Sequence, residues 1–280
     1  MILKKKSHTK LKKTILIIGS TGFIGLKLKK KLSKNYKLIN INKSIGLDIT
    51  QNEIFNKFSN KKIDFILNLS GQNNLDYRIM KKTIINGNQN IINFCKNKKT
   101  LVYYFSTSLV YGYSTIKKKE NMKLKPLCKY SKLKLNAEKL YQKSKINYKI
   151  LRVCNLYDNK KDGVIKNIIN AKIKKKIFYT PNINTYRNYL FVDDFVNLIC
   201  KTFKTRLKHN IYNVGFENIS LITIIKSIEK KFKFKINYEN KNEKLKKIPS
   251  QKINCEKILK EINFLPKVKI IKYINNKLSA

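Results

Sequence analysis

Short apolar runs and helically spaced segments alternate through the first half of the chain. Thr14–Ile18 is a continuous apolar run and reads as a buried strand. Ile24–Leu32 follows with apolar residues at helical spacing. Lys37–Ile41 reads as a second strand and Asn52–Phe58 as a short helix. Asp64–Leu69 is a third strand, with helical patterns through Ile79–Cys95. Leu101–Phe105 is a fourth strand, Tyr130–Lys143 a helix and Tyr148–Val153 a fifth strand. Continuous apolar strands between helices imply a parallel sheet covered on both faces, a doubly wound α/β (Rossmann) fold that binds ligands at the carboxyl ends of its strands.

After Val153 the alternation weakens. Gly163–Lys175 has helical spacing, Tyr189–Cys200 is a short strand running into a helix, and Ile211–Gly215 reads as one more strand. The pattern predicts a basic tail over 1–13 and a Rossmann domain over 14–157 that also receives about 188–215. A small second lobe is expected from 158–187 and 216–280. No internal repeat is visible.

Glycine is scarce: the chain has 9, where about 20 would be average for this length. Three of them, Gly19, Gly22 and Gly25, fall within seven positions straight after the first apolar run. A buried strand that ends in spaced glycines and opens a helix presents backbone amides and the positive end of the helix dipole to a phosphate. That arrangement points to a dinucleotide.

The formal charge of +47 brings nucleic acid to mind, but its distribution argues otherwise. Four basic residues are arginine (Arg78, Arg152, Arg187, Arg206), and the other 59 are lysines spread over the whole length. Abundant lysine, asparagine and isoleucine together fit A/T-rich coding, whereas a nucleic-acid surface concentrates charge and favours arginine. No specific nucleic-acid partner is expected. The five cysteines form no CxxC, and with two histidines no metal site can be argued. No apolar run is long enough to span a membrane. The expectation is a reduced, cytoplasmic protein.

Tyr130 and Lys134 share a Tyr-xxx-Lys spacing that puts both on one helix face, where an ammonium can lower a phenol's pKa for acid/base use. Spacing alone does not select them, because six tyrosines (77, 113, 130, 141, 157 and 273) have a lysine four positions on. Context does. Ser106-Thr107-Ser108 follows the fourth strand and places hydroxyls where a cofactor on the glycine loop would lead.

Together these segments resemble the extended short-chain dehydrogenase/reductases, in particular their NAD-dependent epimerase/dehydratase branch. Gly19, Gly22 and Gly25 match a GxxGxxG, Asp48-Ile49 an acidic adenine-contacting position, and Asn68–Gly71 the segment after the third strand. Asn86 matches a helix asparagine, and Ser106–Gly112 an S-[ST]-x-x-V-Y-G segment. Arg152–Tyr157 matches R-x-x-N-x-Y, Arg187–Asp194 a later arginine-to-aspartate segment, and Ile211–Gly215 a Y-N-x-G strand. The resemblance covers about residues 14 to 270.

It implies Tyr130 as acid/base, Lys134 as the residue that lowers its pKa and holds the nicotinamide ribose, and Thr107 as the hydrogen-bonding hydroxyl. It implies a cofactor site of Gly19, Thr21, Gly22, Phe23, Ile24, Gly25, Asn42, Asp48, Ile49, Leu69, Ser70, Gly71 and Asn86 with Tyr130 and Lys134. Ser108, Asn155 and Arg187 would face a nucleotide-diphosphate-sugar substrate, and the resemblance leaves room for a homodimer.

Three departures narrow this. Dehydratases of the branch follow the threonine with Asp-Glu, and decarboxylases keep the glutamate; here Ser108-Leu109 stand instead, and leucine exchanges no proton. No arginine follows Arg206, so Lys244, Lys246 or Lys247 would have to meet a diphosphate. The second strand ends at Asn42-Lys43-Ser44 without the acid that binds an NAD ribose, which keeps NAD and NADP both open. The reading is an epimerase acting at C4. An NADPH-dependent 4-keto-sugar reductase is the alternative, and a noncatalytic dinucleotide-sensing or nucleic-acid-binding protein on the same fold the third.

Overall fold

The computed structural model describes residues 12–71, 76–158, 163–174, 178–179, 183–233, 235–236, 238–239 and 250–279. Most of the expected basic tail, and Lys244, Lys246 and Lys247, lie outside them.

Strand β1 (Thr14–Ile18) leads through the glycine loop into α1 (Phe23–Leu32), and β2 (Lys37–Ile41) follows. A 3-10 turn spans Asn52–Phe58 before β3 (Phe65–Asn68). The next helical stretch is α2 (Tyr77–Lys81), a π-helical turn (Lys82–Asn86) and α3 (Gly87–Cys95). Then come β4 (Leu101–Thr107), β5 (Ser114–Lys118), α4 (Lys129–Lys143) and β6 (Asn147–Val153). The remainder is β7 (Asn155–Tyr157), α5 (Val164–Ile173), β8 (Phe178–Tyr179), β9 (Tyr186–Phe191), α6 (Val192–Thr202), β10 (Ile211–Val214), β11 (Glu217–Ser220), α7 (Leu221–Phe232), β12 (Tyr238–Glu239), β13 (Gln251–Ile253), α8 (Glu256–Glu261) and α9 (Ile270–Ser279).

Six strands form the central sheet in the order β10-β6-β4-β3-β1-β2, and every adjacent pair is parallel. Alternate strand residues supply the two faces, as a pleat of period two requires. Ile15, Ile17, Leu67, Tyr103 and Leu151 meet α1, α6 and α8 through Leu28, Phe195 and Ile258. Leu16, Ile18, Ile66, Val102 and Ile150 meet α3 and α4 through Ile91, Leu133 and Tyr141. All five residues of β1 are buried. At roughly 1.5–3 kcal/mol per buried large apolar side chain, such runs hold the sheet's centre.

The chain leaves β1 toward β2 on one side and returns to β3 on the other. The crevice between the carboxyl ends of β1 and β3 is therefore the switch point where open α/β sheets take ligands.

The second half differs from the expected division. Strand β9 begins at Tyr186 and pairs not with the central sheet but with β7 and β11. Residues 188–191 thus belong to a separate three-stranded sheet, and α6 and β10 return to the main core. A lobe core of Tyr157, Ile168, Ile224, Ile228 and Ile274 lies against it. Helix α8 packs Ile258 and Ile262 into the main core instead of the lobe. Strand β13 pairs in parallel with β5, stitching the late chain to the segment after β4.

Candidate active site

Gly19 follows β1 at φ 79°, with its backbone against that of Leu69 at the end of β3: a Cβ on Gly19 would lie 3.4 Å from the Leu69 carbonyl. Gly25 lets the first turn of α1 press onto this loop, because a Cβ there would overlap the Gly19 carbonyl oxygen. Gly22 is the N-cap of α1, without a side-chain cap, and no acid stands in the first turn. An uncapped N-terminus of bare backbone fits a pyrophosphate, since it offers donors and a positive dipole end with no anion already present. Thr21 is exposed at the turn, and Phe23 and Ile24 are half-buried.

At the end of β2, Asn42 turns to the glycine loop, its Nδ2 donating to Ser20 Oγ at 3.1 Å, while Ser44 donates to its Oδ1. Lys43 is paired with Asp48 at 3.0 Å, and Asp48 also accepts from the Thr50 amide at 2.9 Å. Partial burial pushes the Asp48 carboxyl up, but the Thr50 amide and Lys43 outweigh it and hold it below the usual carboxylate range. Ile49 is buried and its carbonyl accepts from Asn90.

After β3, Asn68 is fully buried and bonds Ser70 through Oδ1 and Asn88 through Nδ2. Asn88 in turn accepts from Tyr141 at 2.7 Å. Asn86, the asparagine singled out from sequence, is exposed. The asparagine that this helical stretch turns inward is Asn88. The π turn just before it left no sequence signal by which to tell the two apart.

Lys134 on α4 is buried and joins the strand ends. Its Nζ donates to the Ser70 carbonyl at 3.1 Å and to the Phe105 carbonyl at 3.0 Å, 5.7 Å from the Tyr130 ring centre. Gly71, at φ 96°, keeps open the space beside it: a Cβ there would come 3.4 Å from Nζ and 2.8 Å from Ile84. Burial draws the Lys134 ammonium down to about 7, opposed by the charge of Glu138. Burial also pushes the Tyr130 phenol up to about 12, with a smaller contribution from Cys128. The expected lowering of the phenol is thus not what this arrangement gives. Desolvation dominates, and Lys134 directs its hydrogen bonds to backbone carbonyls.

Thr107 ends β4, its Oγ1 accepting from the Leu109 amide at 3.2 Å, which leaves the hydroxyl proton to donate elsewhere. Ser108 is buried and its carbonyl accepts from Gln251 of β13 at 3.3 Å. Asn155 and Arg187 lie on β7 and β9 of the second sheet. Asn155 Nδ2 donates to the Asn188 carbonyl at 3.0 Å and Arg187 Nη1 to the Tyr186 carbonyl at 2.8 Å. Burial lowers the Arg187 guanidinium. The glycine loop, the Leu69–Gly71 turn, the end of β4 and Lys134 are thereby one contiguous site, with Asn155 and Arg187 on the adjoining sheet. Sequence reasoning missed Gln251 and the buried pair Glu138–Arg152. Among the described residues no His/Cys/Asp/Glu group could hold a metal ion, and no helix is long and apolar enough to cross a membrane.

The chain is similar to a dTDP-D-glucose 4,6-dehydratase of Dictyostelium discoideum, 29% identical over 266 residues, 76% of this chain and 61% of that protein's length. It is 27% identical over 259 residues to an ADP-L-glycero-D-manno-heptose-6-epimerase of Brachyspira hyodysenteriae, covering 78% of this chain and 81% of that one. Its fold matches the crystal structure of a Bacillus cereus UDP-glucuronic acid 4-epimerase in complex with UDP-glucuronic acid and NAD. There the TM-score is 0.80 at 22% identity, over 95% of this chain and 98% of that one. The sequence pattern of the NAD dependent epimerase/dehydratase family matches residues 15–215. An uncapped glycine loop at the switch point of a six-stranded parallel sheet, together with that match, shows that the chain belongs to the NAD dependent epimerase/dehydratase family.

Proposed function

We propose that the protein is an NAD-dependent nucleotide-sugar epimerase acting at C4 of the sugar. The observation that carries this reading is Lys134: buried beside Tyr130, it hydrogen-bonds the ends of both β3 and β4, one strand away from the glycine loop. When bound, NAD supplies a hydride acceptor and donor, so that a carbinol carbon can be oxidised and re-reduced on its opposite face.

The chain's own residues supply the rest. The amino end of α1 with Gly19, Gly22 and Gly25 holds the pyrophosphate. Asn42 faces the adenosine ribose, with Asp48 and Ile49 beside the adenine. Tyr130 takes and returns the proton of the C4 hydroxyl. Thr107 donates a hydrogen bond to the same oxygen, steadying the charge that grows there. Lys134 orients the nicotinamide ribose and, as an ammonium, favours the Tyr130 phenolate once proton transfer begins. Asn155 and Arg187 meet the substrate nucleotide. Leu109 favours epimerisation over dehydration, because a hydrocarbon side chain beside Ser108 cannot remove a second proton. The Lys43–Asp48 pair favours NAD over NADP, since a 2′-phosphate would have to compete with Asp48 for that lysine.

The test is a screen of nucleotide-diphosphate sugars with purified protein and NAD, with products read by NMR. Interconversion of C4 epimers supports the reading. Loss of water to a 4-keto-6-deoxy product, or stoichiometric NADPH consumption without epimer, would replace it.

A further inference from the structure

Glu138 lies one helical turn beyond Lys134 on α4 and is fully buried. Arg152 of β6 meets its carboxylate with Nη2 at 2.7 Å and with Nε at 3.2 Å from both oxygens, and the Ser106 hydroxyl of β4 donates to it as well. Arg152 Nη1 donates to the Tyr111 hydroxyl at 2.8 Å and to the Glu120 carbonyl at 3.0 Å, and Tyr111 donates to Asn213 at 2.8 Å. A buried ion pair is weak evidence of a stabilising role, because well-packed apolar residues commonly do as well. Its location suggests a different one. Ser106 sits between Phe105, whose carbonyl receives Lys134, and Thr107. Lys134 to Phe105 and Ser106 to Glu138 are consecutive ties between α4 and the end of β4.

The groups around Lys134 can be named element by element. Tyr130 and Glu138 face it from α4, and Tyr104 faces it from β4 with its ring centre 5.0 Å from Nζ. The Ser70 carbonyl reaches it from the turn after β3, and Arg152 stands behind Glu138 on β6. Among the described groups, Glu138 is the carboxylate whose charge opposes the desolvation of Lys134.

We propose that Glu138 is a positioning residue acting through Lys134: its carboxylate, clamped by Arg152 and Ser106, favours the ammonium form of Lys134 and fixes the strand end that carries Thr107. This rests on the reading of Lys134 as part of the active site.

The test begins with cofactor-free protein and a denaturant titration at a series of pH values. Lys134 lies near 7 when folded against an ordinary lysine value of 10.5. The unfolded chain therefore binds more protons between those values, and this group makes stability rise with pH across that window. Glu138→Gln lowers Lys134 further, so the rise begins about one pH unit lower. In a Lys134→Met background the same substitution shifts no onset. If Glu138→Gln strands Arg152 and fails to fold, Glu138→Leu with Arg152→Met removes the carboxylate and its counterion together. It must give a smaller acid-ward shift of the onset, because the guanidinium's repulsion of Lys134 is lost with the nearer carboxylate's attraction. Ser106→Ala is the structural control, which weakens the fold without moving the onset.

With a substrate in hand, the alkaline fall in turnover moves acid-ward by the same amount in Glu138→Gln. An onset unchanged by removal of the carboxylate overturns the proposal. Full turnover by Lys134→Met would instead defeat the functional reading, while the cofactor-free onset still decides what Glu138 does to Lys134.

Discussion

The carbonyl oxygen of Gly19 occupies the place a side chain at Gly25 would need, and a Cβ there would also come 2.8 Å from Ser20 Cα. Both obstacles are backbone, so neither can rotate away. Gly25→Ala is expected to push α1 off the loop, costing about 1–3 kcal/mol of stability as an overpacked contact does. NAD affinity should fall at least about tenfold, an effect worth ~1.4 kcal/mol of binding. A fluorescence titration with NADH beside a urea unfolding curve checks both, and unchanged affinity would move the cofactor elsewhere.

Tyr130→Phe keeps the ring and removes the hydroxyl. Turnover of the substrate identified in the sugar screen should drop by about 10²–10⁴, the usual worth of positioned acid/base catalysis. Lys134→Met should fall in the same range and also weaken NAD binding, because Lys134 is assigned to the ribose. Tyr130→Phe should leave NAD affinity nearly intact. Equal turnover by Tyr130→Phe and wild type would remove it from the mechanism.

Asp48 gives a pH signature with a defined sign. Its folded carboxyl is held below 3.8 by the Thr50 amide and Lys43 against partial burial, so its contribution is present above the unfolded value and is lost as pH falls through the folded one. Lys43 is largely exposed, so the contribution is about 1 kcal/mol or less. Asp48→Asn should be less stable than wild type at neutral pH, and the two denaturation curves should converge in acid. A gap that widens in acid would contradict the assignment.

Gln251 connects β13 to the turn after β4, its Nε2 donating to the carbonyls of Ser108 and Gly112 at 3.3 Å each. Gln251→Leu removes both hydrogen bonds and should cost about 1–3 kcal/mol. Loosening Ser108 is expected to raise KM more than it lowers kcat, which steady-state kinetics separates. A fall in kcat alone would indicate that Gln251 acts on the chemistry.

The thiols should sort by burial. Cys128 is exposed and Cys200 partly so, while Cys95, Cys154 and Cys255 are buried. Burial pushes the Cys95 thiol up to about 12 and Cys255 well above its usual value, which suppresses thiolate. In native protein a maleimide should label Cys128 quickly and Cys200 slowly, with the other three reacting after unfolding. Peptide mapping by mass spectrometry reads the order, and fast labelling of Cys255 would break it.

The sheet was legible because its strands are buried on both faces. Runs such as Ile15–Ile18 can satisfy neither water nor an alternating pattern. The glycine loop was legible for a related reason: scarce glycine clusters where backbone must meet backbone. Pairing at a distance was not. Ser-Thr-Ile-Lys-Lys at β5 has no strand period of its own and becomes a strand only against β13. Arg152 and Glu138 carry no local signal of burial, because charged residues go inside only when a partner from another element arrives with them. Asn86 and Asn88 are two positions apart on a helical stretch and so lie on opposite sides of it, and it is Asn88 that faces inward.

The parallel β5–β13 pair also bears on how the protein is made. Chain elongation delivers the glycine loop, Thr107, Tyr130 and Lys134 early. The strand that covers the Ser108 carbonyl, and the helix that seals the main core with Ile258, leave the ribosome more than a hundred residues after Lys134. A nascent chain can therefore form the glycine loop and α4 well before β13 arrives to close over Ser108.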